Sequence, residues 1–82
     1  MSKSFEYKYK TSGRTCYYDV DGKLHRLGGP AIVGRYGDKQ WYMHGKRHRR
    51  SGPALIEGNG TKRWFWMGKE IDEVSHFIKR GA

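Results

Sequence analysis

The sequence is poor in cysteine, in acidic residues and in long hydrophobic runs. Its single cysteine, Cys16, excludes a disulfide within the chain and fits a reducing compartment. No apolar run approaches the roughly 20 residues that a membrane-spanning helix needs. The N-terminal residues "MSKSFEYKYK" carry no hydrophobic stretch of the kind found in secretory signals. We therefore expect a cytoplasmic protein without a membrane partner.

Aliphatic residues are also few, and aromatic residues take their place. The 82 residues include three tryptophans, six tyrosines and three phenylalanines. A chain of this length forms one domain with a thin core, in which each buried ring matters. Aromatic residues favour strands over helices, so the composition predicts a mainly β protein.

The shortage of acids leaves the chain strongly basic. Seventeen lysines and arginines stand against eight aspartates and glutamates, which gives a net charge of +9. Such a charge favours polyanionic partners. The pattern contains no Ser-His-acid set, paired carboxylates, Cys-His pair or phosphate-cradling loop, so we expect no catalytic residues and no cofactor. His44 and His48 lack further ligands, and we expect no metal site.

A 23-residue repeat organises the chain. The segment "GKLHRLGGPAIVGRYGD" (22–38) aligns with "GKRHRRSGPALIEGNGT" (45–61), and the register continues from Trp41 to Trp64. Tyr18 precedes Trp41 by the same offset, which suggests an earlier, partial copy. Repeats of this length indicate stacked supersecondary units.

Short apolar or aromatic runs between glycine-rich breaks predict the strands. "GPAIVG" and "GPALIEG" begin with a proline, which is tolerated at the first residue of a strand, and "NG" at 59–60 is a strong hairpin signal. We predict a single antiparallel up-and-down meander with an N-terminal hairpin over about 5–20 and repeats over about 18–69. Its six strands are expected near 5–10, 15–20, 30–35, 39–43, 53–57 and 62–67.

The C-terminal segment changes period and predicts a short helix over about 71–80. Apolar residues fall three or four apart at Ile71, Val74, Phe77 and Ile78, and Asp72 can cap the start. We expect this amphipathic helix to cap the array by covering the terminal strand or one sheet face.

The meander also predicts where the charge gathers. Alternate connections of a meander lie at the same end of the sheet, so three basic connections should share one edge, which we call the basic rim. Its predicted residues, the candidate nucleic-acid or anion contacts, are Lys23, His25, Arg26, Lys46, Arg47, His48, Arg49, Arg50 and Lys69. Arginine binds phosphate well because its planar fork bonds two oxygens at once. The competing interpretation is that these charges only keep a thin sheet soluble.

The pattern W-Y-x-x-G-K-x-H-R-x-x-G-P-A, at residues 41–54, resembles the MORN-like repeats of bacterial, bacteriophage and large-virus proteins. The resemblance covers roughly residues 17–69. It implies a non-enzymatic array of β-hairpins used for binding, phage-encoded or antitoxin-like in some members and then located in the host cytoplasm. Tyr18 and Asp19 would replace the aromatic pair Trp41 and Tyr42 in the first copy.

Two interpretations stay open for the repeated histidines and rings. His25 and His48 either contact a ligand or order their loops by bonding the backbone of the next repeat. The rings either stack bases, as in single-strand binders, or form a core. Since neighbouring strand residues point to opposite faces, we expect Trp41 and Trp64 to lie in the core. Tyr42 and Phe65 are candidates for an exposed stripe.

These observations lead to two functional hypotheses. The first is a small non-enzymatic binding protein that engages nucleic acid, or a protein-nucleic-acid complex, through the basic rim. The second is a protein-protein inhibitor that binds an acidic host protein through the sheet face, with Tyr42, Phe65 and Trp66 as its interface. The first strand could also pair with a second copy of the chain and form a homo-oligomer.

Overall fold

The computed structural model describes residues 7–81 and is mainly β, with one short helix at the C-terminal end. The predicted fold class is confirmed. In chain order the elements are β1 Tyr7–Thr11, β2 Arg14–Tyr18, β3 Ile32–Val33, β4 Lys39–Gln40, β5 Tyr42–Met43, β6 Lys46–Arg47, β7 Leu55–Ile56, β8 Lys62–Trp66, β9 Lys69–Ile71 and α1 Glu73–Lys79.

Seven strands form one antiparallel sheet in the order β1-β2-β3-β4-β7-β8-β9, and β5 pairs with β6 in a separate two-stranded sheet. The six predicted strands all occur, although residues 5 and 6 of the first lie outside the described residues. The predicted strand over 39–43 is divided at Trp41, and β6 and β9 were not predicted. The basic stretch after Trp41 is therefore partly a hairpin and not only a loop.

The sheet is a single layer whose two faces differ. The described molecule measures 37 × 34 × 17 Å, and its shortest dimension leaves room for one sheet with its side chains. One cross-strand row includes Cys16 and Ile32, which are 8% and 3% exposed. Residues directly opposite each other on paired strands share a face. We call the face that carries these two residues the core face.

The repeat is visible in backbone hydrogen bonds that recur from one copy to the next, but its first copy differs from the prediction. The N–H groups of Tyr17 and Trp41 donate to the carbonyls of Ala31 and Ala54, both at 2.8 Å. Tyr17, and not Tyr18, is therefore the structural equivalent of Trp41. The segment between Tyr17 and His25 is longer by a single position than its counterpart in the next copy, so an alignment at a constant offset misplaces the first aromatic pair.

One further prediction about packing is wrong. Trp64 and Phe65 do point to opposite faces, but the buried side chain is Phe65, at 7% exposure, while Trp64 and Trp66 are half-buried. The helix α1 lies against β8, as expected of a cap, but its apolar side chains do not make the contact. Its apolar stripe Val74, Phe77 and Ile78 is 53% to 69% exposed.

The helix packs on the sheet through a polar residue. His76 is 2% exposed, its Nε2–H donates to the carbonyl oxygen of Arg49, and its ring meets Trp66 edge to face. Asp72 caps the helix by accepting from the N–H of Ser75 at 2.7 Å, and this bond holds the pKa of the Asp72 carboxyl below its ordinary value. The need to satisfy His76 and the Arg49 carbonyl accounts for the orientation of α1.

Candidate nucleic-acid interface

The three basic connections contact each other directly. The N–H of Gly45 donates to the carbonyl of Leu24 at 2.7 Å, and at the equivalent place in the next copy the N–H of Gly68 donates to the carbonyl of Arg47 at 2.8 Å. These bonds join the connection after β2 to the β5–β6 turn, and the β5–β6 hairpin to the β8–β9 turn. The residues predicted for the basic rim therefore come from adjacent connections at one end of the sheet.

Two tight turns on the rim have the same backbone conformation. His44 and Gly45 have φ of 47° and 87°, and Met67 and Gly68 have φ of 48° and 93°. Two successive positive φ values characterise the type I′ turn, whose twist suits a β-hairpin. Glycine at the second position adopts this conformation without the strain that a side chain would add.

The repeated histidines order these turns. Nδ1 of His25 accepts a hydrogen bond from the N–H of His44 at 3.1 Å, and Nδ1 of His48 accepts one from the N–H of Met67 at 3.0 Å. His25 is 1% exposed and His48 is half-buried. Each histidine thus bonds the backbone of the next repeat, as the loop-ordering interpretation expects, and His25 presents almost no surface to a ligand.

The pKa of His48 is lowered by burial and, to a smaller extent, by the nearby His76. A neutral ring is also what the hydrogen bond requires, because a protonated Nδ1 cannot accept from the N–H of Met67. Burial and geometry therefore both favour the uncharged form of His48 over a cationic phosphate contact.

Arg26 and Arg49 have equivalent structural roles. The guanidinium of Arg26 lies 3.9 Å from the centre of the Tyr17 ring, and that of Arg49 lies 3.9 Å from the centre of the Trp41 ring. Each NH1 donates to the carbonyl four residues later, that of Pro30 or Pro53. Cation–π contacts and hydrogen bonds to main-chain carbonyls hold these side chains against their own loops.

The glycine of the repeated G-P-A pattern leaves room for that arginine. A Cβ atom on Gly29 or Gly52 would lie 3.2 Å from the NH1 of Arg26 or Arg49. The alanine that follows each proline, Ala31 or Ala54, is completely buried. The repeated residues of the H-R-x-x-G-P-A pattern therefore have structural explanations.

Arg47 lies on a different set of partners. Its NH2 donates to Oε1 of Gln40 at 2.7 Å and to the hydroxyl of Tyr42 at 2.8 Å, and its guanidinium lies 4.8 Å from the centre of the Phe65 ring. These contacts place it on the core face, where it covers Phe65. The contacts of Arg47 are therefore mainly structural.

The exposed cations of the rim are three lysines and one arginine. Lys23, Lys46 and Lys69 come from successive turns, and the stems of the first two pass over Gly45 and Gly68 of the next turn. None of these lysines forms an ion pair within residues 7–81. Arg50 is also exposed, and its NH2 donates to the carbonyl of Arg80 at 3.1 Å.

A surface groove lies beside the rim, between the loops that follow His25 and His48. Its volume is about 820 Å³, and its lining includes the Trp41 ring, Met43 and four arginines, namely Arg26, Arg49, Arg50 and Arg80. No carboxylate lines it among the described residues. Burial lowers the pKa of the Arg49 guanidinium, which nevertheless stays charged, as arginine does in proteins.

Asp19 and His44 form a rim contact that the sequence did not reveal. The Asp19 carboxylate is 5% exposed and accepts from Nδ1 of His44 at 2.7 Å and from the N–H groups of Asp21 and Lys23 at 2.9 Å. The bond from His44, followed by those from the backbone, holds its pKa below the ordinary value. His44 also stacks on His25, with ring centres 4.0 Å apart. The sequence D-V-D-G at residues 19–22, which is typical of a turn, is the signal that could have indicated this contact.

The residues predicted for a protein interface do not form one exposed surface. Phe65 is buried, which contradicts its assignment to an exposed stripe, and the hydroxyl of Tyr42 is occupied by Arg47. Trp66 lies on the opposite face and contacts His48 and His76 edge to face. Exposed apolar side chains near Trp66 are instead those of Met67 and of Val74, Phe77 and Ile78 in α1.

Comparisons with protein-family models, with curated proteins and with solved structures found no match for the chain. Within residues 7–81, no helix is long and apolar enough to span a membrane, and no group of three or more His, Cys, Asp or Glu side chains could hold a metal ion.

Proposed function

We propose that the protein is a non-enzymatic nucleic-acid-binding module that docks the phosphate backbone on its basic rim. The observation that carries the proposal is the row of exposed lysines Lys23, Lys46 and Lys69, one from each successive turn and none in an ion pair within residues 7–81. A repeat of two strands separates neighbouring members by about 10 Å. Evenly spaced cations without neutralising partners suit a regularly charged polyanion.

The division of labour among the basic residues supports this proposal. Arg26, Arg47, Arg49 and the histidines stabilise the turns through contacts with rings and the backbone. Two of the rim lysines pass over these turns, since the stems of Lys23 and Lys46 lie beside Gly45 and Gly68. Phosphate contacts of this kind position a protein on nucleic acid without reading the base sequence.

The test is the salt dependence of binding to a fluorescein-labelled oligonucleotide, followed by fluorescence anisotropy. Affinity should fall steeply between about 50 and 200 mM salt, because bound phosphates release counterions. The variant K23A/K46A/K69A should bind more weakly than the wild type. Its slope of log K against log salt for a single strand should be shallower by about 2, because each lost lysine–phosphate contact reduces the slope by roughly 0.7.

The matched control is R14A/R35A/K79A, which removes three exposed charges that do not belong to the basic rim. It should bind nearly as the wild type does. Absence of binding at low salt, a salt-independent affinity, or equal losses in the two triple variants would each reject the proposal.

An acidic protein is the alternative partner, because carboxylates would bind the same lysines. The rim is a better surface for this partner than the sheet face, because Phe65 is buried and the hydroxyl of Tyr42 is bonded by Arg47. A pull-down from host lysate with and without nuclease separates the two. A protein that is still captured after nuclease treatment by the wild type, but not by K23A/K46A/K69A, would favour the acidic protein as the partner.

A further inference from the structure

The sheet face opposite the core face carries a second row of lysines. The strand register aligns Lys10 with Thr15, Thr15 with Val33, Val33 with Lys39, Lys39 with Ile56, and Ile56 with Lys62. Directly paired residues share a face, so Lys10, Lys39 and Lys62 lie on one line across the sheet. We call this line the lysine row. Its three lysines are exposed, and the residues between them are half-buried.

A tryptophan follows two of these lysines at the same spacing. Lys39 precedes Trp41 and Lys62 precedes Trp64, each by two residues and therefore on the same face, about 7 Å along the strand. The ladder continues through Trp41, whose N–H bonds to Ala54. The repeat thus presents the same pair of a lysine and a half-buried ring twice on this face.

Each ring lines a depression in the surface. Trp41 lies in the arginine-lined groove of about 820 Å³, and Trp64 lies with Lys62, Phe77 and Arg80 in a smaller depression of about 340 Å³. Arg80 contributes to both. The smaller depression includes one acid, Glu73, while the larger includes none among the described residues.

We propose that this face binds a single-stranded nucleic acid laid across the strands, with phosphates on the lysine row and unpaired bases in the two depressions. The inference rests on the proposed nucleic-acid function and specifies its substrate class. Proteins that bind single strands combine a cationic track with ring platforms for successive bases, and arginine planes can also stack bases. Arg49 over Trp41 is such a plane.

A single strand fits this surface better than a duplex does. The bases of a duplex are stacked inside the helix and would have to be flipped out, at a cost in free energy, to enter the depressions. The lysine row crosses five strand intervals, or about 24 Å, which is long enough to follow several nucleotides. The rim alone would contact phosphates of either form.

The experiment compares an oligothymidylate of about 16 nucleotides with a duplex of the same length, using anisotropy and quenching of tryptophan fluorescence. The wild type should prefer the single strand and be quenched by it. K39A/K62A should lose about tenfold or more in affinity for the single strand, with less quenching and a smaller loss for the duplex. K39R/K62R, which keeps the charge, should retain binding.

R14A/R35A removes the same charge from residues outside the lysine row and should leave the preference for the single strand unchanged. Two results would overturn the inference and leave the rim proposal intact. One is equal affinity of the wild type for the single strand and the duplex. The other is wild-type affinity of K39A/K62A for the single strand, together with loss of binding by K23A/K46A/K69A. Failure of both nucleic acids to bind the wild type would overturn both.

Discussion

The guanidinium of Arg49 lies 3.9 Å from the centre of the Trp41 ring, and Arg26 lies at the same distance from Tyr17 one repeat earlier. Each arginine also bonds the proline carbonyl of its own loop. The most conspicuous basic residues of the repeat are therefore used to build it. The exposed lysines Lys23, Lys46 and Lys69, which are less conspicuous in the sequence, form no ion pair within residues 7–81.

Arg49→Ala should lower the free energy of unfolding by roughly 1 to 3 kcal/mol, because it removes a half-buried cation–π contact and a hydrogen bond to Pro53. Arg49→Lys should recover part of this loss, since it keeps the charge but not the planar fork. Urea denaturation measures both. Arg50→Ala, one residue away and exposed, is the control and should change stability by less than about 0.5 kcal/mol. Equal costs at the two positions would contradict the structural role of Arg49.

The packing of neighbouring turns at the end of the sheet opposite the basic rim can be tested by substituting a glycine. A Cβ on Gly58 would lie 2.8 Å from the carbonyl oxygen of Tyr36, whereas a Cβ on Gly28 would meet nothing within 4 Å. We expect Gly58→Ala to destabilise the protein by about 1 to 3 kcal/mol through overpacking and Gly28→Ala to have little effect. Thermal unfolding of both variants measures the difference. A neutral Gly58→Ala would mean that neighbouring turns are not packed as described.

Stability should decrease as the pH falls from about 7 to about 5, in the range where histidines titrate. The folded state lowers the pKa of His48 through burial, so the unfolded chain takes up the proton first. The contribution of neutral His48 is complete above its unfolded pKa of about 6.5 and is lost as the pH falls towards the lower folded pKa.

His48→Gln provides the control for this pH dependence, since its polar amide does not titrate in this range. Its unfolding free energy should change less between the two pH values than that of the wild type. Asp19 and Asp72, whose pKa values are also lowered, lose their contributions only as the pH falls below about 3.8 and through their folded pKa values. An identical pH slope in His48→Gln would contradict the assignment to His48.

Much of the fold could be predicted because the repeated residues are ones that constrain the backbone conformation. Glycines, prolines and aromatic runs at a constant offset determine where strands end, and stacked hairpins then bring the basic connections together. The face of β8 could not be predicted, because Trp64, Phe65 and Trp66 are all apolar and show no alternation. The first aromatic pair was misplaced because a single additional position after Tyr17 breaks the offset.

The candidate site was predictable only as a region. A sequence rich in arginine does not show which guanidinium groups lie over rings, so the packing of Arg26 on Tyr17 and of Arg49 on Trp41 could not be predicted. The orientation of α1 depends on His76 bonding the carbonyl of Arg49, a contact between distant residues that has no local signal. The lysine row depends on the pairing of six strands, and no single segment of the sequence contains it.

The exposed stripe of α1 gives a direct test of that orientation. Val74→Ser and Ile78→Ser should each change the free energy of unfolding by less than about 0.5 kcal/mol, because the two side chains are 68% and 69% exposed. His76→Ala, on the buried side, should cost more than about 1 kcal/mol, since it leaves the Arg49 carbonyl without its partner. If the serine variants are the more damaging, the helix packs through its apolar stripe.

The most direct test of nucleic-acid binding is a titration of the ¹⁵N-labelled protein with an unlabelled oligothymidylate, followed by two-dimensional NMR. We expect the perturbed amides to cluster at the turns that carry Lys23, Lys46 and Lys69 and along the strands around Lys39 and Lys62. Perturbations confined to α1 or to the core face, or none at a concentration where anisotropy reports binding, would contradict this expectation.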